Sequence, residues 1–490
     1  MLLSFTFENW KSYKDSSAIN FYAGRKRSHR EMLTSIPGYR GLKVLPISGI
    51  WGGNAGGKTN LLEALKFVKD FVVRGYNGLG RIPVEGFRPM EISKPSHFAI
   101  TFLVNNRIYQ LEFTLTSESV VEENLFWLTR QYEWRGIYAR TTDDYGNARV
   151  EFAGTASPEL ADYASDLDRL QACVQGCGPY RLFLTNTVDQ RIGVFASLHN
   201  WFDNTLRYAG AGTHFTRFPT MMSDERYCDL FGSILKALDT GIEHVSLEDV
   251  SGEDIIGSLP ESIRREMQER DDFSLQFEMG RQTDVPSDVY LISKRDGIIR
   301  TQRVQTYRKG ENGELKPFGF RNESSGTRRL LEILPIFTDL WIGDTECVWV
   351  LDEIDKDFHT DLTRALIEQF LLHVKHRNAG YDAKDEAESQ KRMRGYDSPR
   401  QQMLFTTHDL MLMEQDLLRI DEINVVERKS DGSSRLIPLH EYKGLRNDLD
   451  LRKSYLEGRF GGVPRLAPIL TDFGEESGQA MVMEGGHGHE

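Results

Sequence analysis

Eight residues, Gly52-Gly53-Asn54-Ala55-Gly56-Gly57-Lys58-Thr59, constrain this chain more than any other feature, because they fit the spacing G-x-x-x-x-G-K-[ST]. A loop whose backbone N–H groups all turn inward around a phosphate needs glycine wherever a side chain would clash. In such a loop Lys58 neutralises the β and γ oxygens of a nucleotide, and Thr59 offers its hydroxyl to Mg²⁺. The flanks supply the context that a string match lacks. Residues 44–51 read as a strand, and residues 60–73 as a helix with Leu61, Leu62, Leu65 and Val68 on one face. The positive end of that helix then faces the same phosphates. Gly52, Asn54, Ala55, Gly56, Gly57, Lys58, Thr59 and Asn60 are therefore the expected ATP-binding residues, with Mg²⁺ as the accompanying cation.

Three later runs carry complementary chemistry. Val348-Trp349-Val350-Leu351-Asp352-Glu353 is an apolar run closed by adjacent acids. It reads as a buried strand delivering carboxylates to its C-terminal edge, where open α/β sheets bind ligands. Beside a Gly-rich phosphate loop, Asp352 is expected to hold Mg²⁺ through its water shell, and Glu353 to polarise the attacking water. Leu404-Phe405-Thr406-Thr407-His408-Asp409 is a second short strand, ending in a histidine whose neutral ring can hydrogen-bond a γ-phosphate. Its place after the acidic strand puts His408 with Glu353 and Lys58 as a catalytic candidate. Asn322-Glu323-Ser324-Ser325-Gly326-Thr327-Arg328-Arg329 sets small residues at the start of a helix expected over 327–339, and free N–H groups there make an anion site. Taken alone, Ser324 or Ser325 reads better as an ordinary N-cap.

Between and around these runs the chain divides unevenly. An opening strand alternates Leu3, Phe5 and Phe7 with polar residues, and residues 99–104 and 107–115 form a hairpin about Asn105–Asn106. Residues 24–30, GRKRSHR, are a basic loop. The span 203–319 is mixed, with helical pieces at 230–237 and 260–270 and strands near 274–279 and 289–294. Residues 376–402 are polar without apolar periodicity and read as a loop. We expect an N-terminal ATPase lobe over 1–202, an inserted lobe over 203–319, a C-terminal ATPase lobe over 320–465 and a flexible acidic tail over 466–490. Composition excludes several classes. A net charge of −13 argues against a protein that coats nucleic acid, although a local basic strip remains compatible with it. No apolar run reaches the ~18 residues a bilayer demands. The four cysteines, with Cys173 and Cys177 in a lone C-x3-C, read as reduced thiols of a cytoplasmic protein rather than a zinc site.

The order of phosphate loop, small-residue helix start, acidic strand and histidine strand resembles the ATP-binding cassette ATPases, in the branch of the repair and chromosome-structure (RecF- and SMC-like) heads. The opening Asn9-Trp10-Lys11-Ser12-Tyr13 is similar to the start of those proteins. A narrower likeness is to the bacterial AAA15/AAA21-type ATPases, relatives of the ATPase part of overcoming-lysogenisation-defect proteins and of anti-phage ATPases. It is carried by residues 51–60, by E-S-S-G-T-R-R-L from Glu323, by L-D-E-I-D from Leu351 with Phe358-His359, by T-H-D from Thr407, and by Tyr455-Leu456-Glu457-Gly458-Arg459-Phe460-Gly461-Gly462-Val463-Pro464. It spans about residues 1–200 and 320–465. The resemblance implies an α/β P-loop NTPase of the cassette type with an inserted mixed α/β lobe. It makes residues 323–327 the signature motif, with Ser324, Ser325 and Gly326 touching the nucleotide of a partner copy, and residues 355–359 the D-loop. It also implies a homodimer or higher homo-oligomer, and in phage defence a separately encoded nuclease or toxic effector.

Two departures qualify the likeness. Neither Gln110, inside an expected strand, nor Gln131 has the setting of a Q-loop glutamine. Thr59 also stands much farther from Glu323 than a transporter cassette needs. The alternative function is a repair or recombination ATPase that binds DNA directly. A small-molecule kinase would leave the acid pair, the signature and His408 unexplained, and no toprim-like or H-N-H nuclease constellation is present.

Overall fold

In the computed structural model, residues 1–463 are described except 77–79, 89–93, 154–156, 161, 211–217, 271, 280–287, 343–344, 380–398, 443–444 and 446–448. The tail expected over 466–490 and most of the loop expected over 376–402 thus lie outside the described residues.

The centre is a six-stranded sheet in the order Leu206–Ala209, Cys347–Leu351, Gln401–Thr406, Ile47–Trp51, Ile423–Arg428, Ser434–Pro438. Its first five strands run parallel and the last returns antiparallel. All five residues of Ile47–Trp51 and of Cys347–Leu351 are buried, as strands covered on both faces must be. Alternation then sorts side chains between two cores. Val348 and Val350 pack with the N-terminal strands and the helix Lys58–Arg74, whereas Trp349 and Leu351 pack with the helices Ser325–Trp341 and Thr360–Ala379. Each large apolar side chain so buried contributes about 1.5–3 kcal/mol relative to exposure, which fixes which face each element covers.

Over the first core lies a seven-stranded antiparallel sheet in the order Ala148–Phe152, Trp134–Thr142, Val120–Leu128, Arg107–Leu115, Ser96–Val104, Leu2–Glu8, Ser17–Asn20. Its hairpin pairs Val104 with Arg107 across Asn105 and Asn106, both at positive φ (49° and 58°), the conformation that a two-residue turn between twisted strands requires. The buried Glu123 joins this sheet to the helix Phe183–Asp189, accepting from Phe183 N, Leu184 N and Tyr138 Oη beside Arg140.

The middle of the chain forms its own sheet of Ile242–Asp249, Ile298–Lys309, Asp288–Arg295 and Phe273–Met279, with Leu315–Gly319 paired to Ile298–Lys309. The helix Glu225–Ala237 packs on Ile242–Asp249. One boundary needs correction. Leu206–Ala209 falls within the span expected for the inserted lobe, yet it pairs with Cys347–Leu351 as the outer strand of the central sheet. Four residues give too little periodicity to reveal such a strand. A second correction concerns the polar stretch after 375: the helix Thr360–Ala379 runs on through His376, where Arg377 is held by hydrogen bonds to Gln401 and Thr34 rather than by apolar packing, which leaves no apolar pattern to read. The architecture is α/β, with three strand C-termini and one helix N-terminus converging on one edge of the central sheet. No helix among the described residues is long and apolar enough to cross a membrane.

Candidate functional site

The phosphate loop is shaped by what holds its carbonyls. Ser434 Oγ donates to Gly56 O (2.6 Å), Tyr13 Oη donates to Gly57 O (3.1 Å), and Gly56 N donates to Gly53 O (3.1 Å). Carbonyls drawn to one side turn amides to the other, which is how a backbone becomes an anion cradle. Two positions require glycine outright. A Cβ on Gly57 would stand 2.3 Å from Ser434 Oγ at φ +112°, and one on Gly52 would stand 2.6 Å from Val426 O. Ala55 takes φ +57° without being glycine, a conformation that costs a β-carbon roughly 1–2 kcal/mol. The sequence motif at 9–13 acts here too. Trp10 Nε1 donates to Asn60 O, and Ser12 Oγ accepts from Asn60 Nδ2 and, with the Ser434 proton committed to Gly56 O, donates to Ser434 Oγ, each at 2.8 Å.

The late glycines close the other side. Gly462 O accepts from Gly53 N (3.0 Å) and from Tyr455 Oη (2.8 Å). Gly461 and Gly462 lie at φ +70° and +75°, and a Cβ would stand 2.8 Å from the Glu427 carboxyl carbon or 2.6 Å from Val425 Cγ1. A segment hundreds of residues from the loop in sequence is thereby tied to it.

The acidic strand delivers its two carboxylates where the loop ends. Thr59 Oγ1 donates to Asp352 Oδ2 (3.0 Å), and Thr406 Oγ1 donates to Asp352 Oδ1 (2.6 Å). A hydroxyl beside a buried carboxylate is an all-oxygen donor set, suited to a hard cation such as Mg²⁺. Thr406 also accepts from Glu353 N (2.8 Å), and Glu353 sits at φ +50°, a strained position for a residue with a β-carbon. Strain of this kind persists only where surrounding bonds impose it, and Thr406 and the parallel register Leu351 to Phe405 do so.

His408 stands against the loop lysine. Lys58 Nζ donates to Gly52 O (2.8 Å) and lies 3.0 Å from His408 Nε2, while His408 N donates to Asp355 Oδ2 (3.2 Å). Trp51 Nε1 donates to Asp409 O, pinning the end of the histidine strand to that of the phosphate-loop strand. Burial pulls the Lys58 ammonium down to about 8, against the opposing pull of Asp352, Glu353 and Asp355. Burial first, and Lys58 second, also hold the His408 imidazole below its ordinary range. Accepting from an ammonium requires the ring neutral with Nε2 bare, which that depression favours.

The fourth sequence element is elsewhere. Ser324 caps the helix Ser325–Trp341, its Oγ accepting from Thr327 N (3.1 Å), and Ser324 and Ser325 are exposed. Among the described residues, Ser324, Ser325 and Gly326 make no hydrogen bond to residues 52–60 of the same chain. A Cβ on Gly326 would stand 2.7 Å from Asp357 O, so the helix start abuts the loop after the acidic strand. The candidate residues thus fall into two groups: 52–60, Asp352, Glu353 and His408 together, and 324–326 apart from them. Gln110 lies in the antiparallel sheet and donates to Glu112, and Gln131 occupies the turn between two of its strands. Sequence reasoning missed Ser434, a single hydroxyl with no motif around it, and the part played by Thr406, which lies inside the quoted histidine strand. Ser12, Tyr13 and Gly462 lay inside quoted motifs, but nothing local showed what they touch.

The profile of one protein family, "AAA domain, putative AbiEii toxin, Type IV TA system", matches residues 47–169 and 222–414, together more than half of the chain. No curated protein matches. Among solved structures, the SMC head domain from Thermotoga maritima is similar at TM-score 0.33 and 12% identity, over 89% of this chain and 98% of that one. The recombination mediator protein RecF of the RecFOR pathway, in its ATPrS form, is similar at TM-score 0.24 and 11% identity, again over 89% and 98%.

Proposed function

The chain belongs to the AAA-domain family whose profile it matches, and from that premise we propose that it is an ATP-hydrolysing switch that dimerises through ATP and controls a separate effector protein. The observation that carries this reading is the convergence of Lys58, Thr59, Asp352, Glu353 and His408 at one edge of the central sheet. Mg²⁺ bound by Thr59 and Asp352 would supply charge neutralisation at the β and γ oxygens. Lys58 and the inward amides bind and orient the phosphates. Glu353 holds and polarises the attacking water, and His408 hydrogen-bonds the γ-phosphate. Exposed Ser324 and half-buried Gly326 make no hydrogen bond to this group, which supports their serving a second copy's nucleotide. A homodimer is then the smallest complete enzyme. Control of an effector, a nuclease or toxin of anti-phage defence, rests on the likeness to defence ATPases and on the lack of a nuclease constellation in the sequence.

One observation favours the second reading, direct DNA binding. Buried Arg419 donates to the carbonyls of Lys26 and Ser28, turning the peptide oxygens of the basic loop inward. Arg25, Lys26, Arg27 and Arg30 are exposed, and none has a recorded ion pair among the described residues.

ATP turnover and oligomer mass of wild type beside Glu353→Gln, with and without DNA, test both. The expected result is turnover lowered about 10²- to 10⁴-fold with an ATP-bound dimer or larger assembly trapped. Unchanged turnover in Glu353→Gln would remove Glu353 from catalysis. Stimulation by DNA that fades with salt would move the conclusion to the second reading.

A further inference from the structure

The inserted sheet reaches the signature segment through one buried carboxylate. Glu323, immediately before Ser324, has a fully buried side chain. Its Oε1 lies 2.7 Å from Thr306 Oγ1, whose one proton it shares with Phe318 O (2.7 Å), and its Oε2 accepts from Arg308 Nη2 (2.6 Å). Thr306 and Arg308 sit two apart on the strand Ile298–Lys309, hence on the same face of the lobe's sheet. Arg308 is itself positioned: its Nη1 donates to Thr240 O (3.0 Å), just beyond the helix Glu225–Ala237, and its guanidinium lies 5.2 Å from the centre of the Phe318 ring. The approach to the signature is part of the lobe as well. Leu315–Gly319 is a strand of the lobe's sheet, Phe320 is buried, and Arg321 N donates to Asp288 Oδ1 (3.3 Å).

On its other side the signature lies close against the loop after the acidic strand, where a Cβ on Gly326 would stand 2.7 Å from Asp357 O. Ser324–Gly326 therefore lies between the lobe, which holds Glu323, and the core, which Gly326 abuts. A shift of the lobe's sheet relative to the core must either drag Glu323 along or leave a buried carboxylate without its partners, and the latter costs several kcal/mol.

We propose that Arg308, with Thr306, is a positioning residue for the ATPase reaction: it sets the signature segment through Glu323 and makes the inserted lobe the lever by which a bound partner protein starts or stops turnover. Arg308 touches neither nucleotide nor water in this scheme. It acts on the site of the neighbouring copy, because Ser324 and Gly326 serve that copy's phosphate. The inference rests on the proposed reading that ATP is hydrolysed between two copies.

That arrangement gives a test which a merely structural role would not satisfy. Arg308→Glu should lower the melting temperature, because a second carboxylate then faces buried Glu323, and lower kcat by about ten-fold or more, the range of ordinary coupling between sites, while ATP affinity stays near wild type. Arg308→Lys, which keeps one charged donor, should recover most of the rate. Thr306→Val is the milder second variant, expected to lower kcat by about five-fold with ATP affinity unchanged, and it serves if Arg308→Glu does not fold. The decisive arm mixes Arg308→Glu, slowed about ten-fold, with Lys58→Ala, which has no working phosphate loop. Their mixed dimer pairs an intact phosphate loop with an intact signature, so turnover should rise above the sum of the two variants measured separately. Loss of ATP affinity in Arg308→Glu, wild-type kcat in both lobe variants, or no recovery on mixing overturns the proposal. Absence of turnover in wild type would instead overturn the reading it rests on.

Discussion

The ammonium of Lys58 stands 3.0 Å from Nε2 of His408, so two groups from opposite ends of the chain hold each other at the edge of the central sheet. Nucleotide entry must part them. Because burial and Lys58 depress the His408 ring below its ordinary value of about 6.5, it is neutral at pH 7 and charges only in more acid solution. Charged, it repels Lys58 and loses its acceptor. Turnover should therefore fall on the acid side with a midpoint below that of free imidazole. His408→Gln should lower kcat about 10²-fold and remove this acid limb. A limb that persists in His408→Gln belongs to another group.

Lys58 gives a prediction at the alkaline end. Its ammonium titrates near 8 in the free protein, and bound phosphate favours the charged form. Below that value it is already charged and binding takes up no proton. Above it binding must restore the proton, so ATP affinity should drop by up to about ten-fold per pH unit. Calorimetry in buffers of different ionisation enthalpy would show the proton uptake, and an affinity flat from neutral to strongly alkaline pH would contradict it.

Thr406 holds both acids, donating to Asp352 and accepting from Glu353 N. Thr406→Val preserves shape and removes both bonds, leaving two buried polar groups unsatisfied at about 1–3 kcal/mol each. We expect a weaker Mg²⁺ requirement curve, shifted about ten-fold to higher concentration, together with reduced kcat. Thr406→Ser, which restores the hydroxyl, should return both. Wild-type Mg²⁺ dependence in Thr406→Val would show that the threonine does not orient Asp352.

The Gly462 carbonyl predicts an effect on nucleotide binding from the far end of the chain. Gly462→Ala places a β-carbon 2.6 Å from Val425 Cγ1 at positive φ, and the bond to Gly53 N must give. ATP and ADP affinity should fall together by about ten-fold, since both share the loop that is displaced. Tyr455→Phe, which removes only the second donor to Gly462 O, should show the same change in smaller measure. Unaltered affinity in both variants would make the glycine pair a packing feature alone.

How much of this was legible beforehand depends on the range of the interactions. The phosphate loop, acidic strand and histidine strand were readable because their chemistry sits in short runs whose flanks reveal strand or helix. The helix Ser325–Trp341 was readable through the small residues at its start, and it continues across Pro335 with every residue from Arg329 to Leu340 buried. The lobe's helices and strands at 225–237, 261–269, 273–279 and 288–295 lie close to where residue patterns placed them. The strand Leu206–Ala209 was not readable, because four residues earn their place only by pairing with Cys347–Leu351.

By itself the sequence determined which residues can do the chemistry, since a lysine after glycines or paired acids after an apolar strand have few other uses in that order. Tertiary structure alone decided which of them meet. It set Lys58 against His408, gave Asp352 and Glu353 to Thr406, and tied Gly53 to Gly462. It also moved Ser324–Gly326 away from their own phosphate loop and fastened Glu323 to Arg308. The physical reason is that local patterns report the burial of an element's face, whereas a hydrogen bond between distant residues depends on strand order and register, which no local window contains.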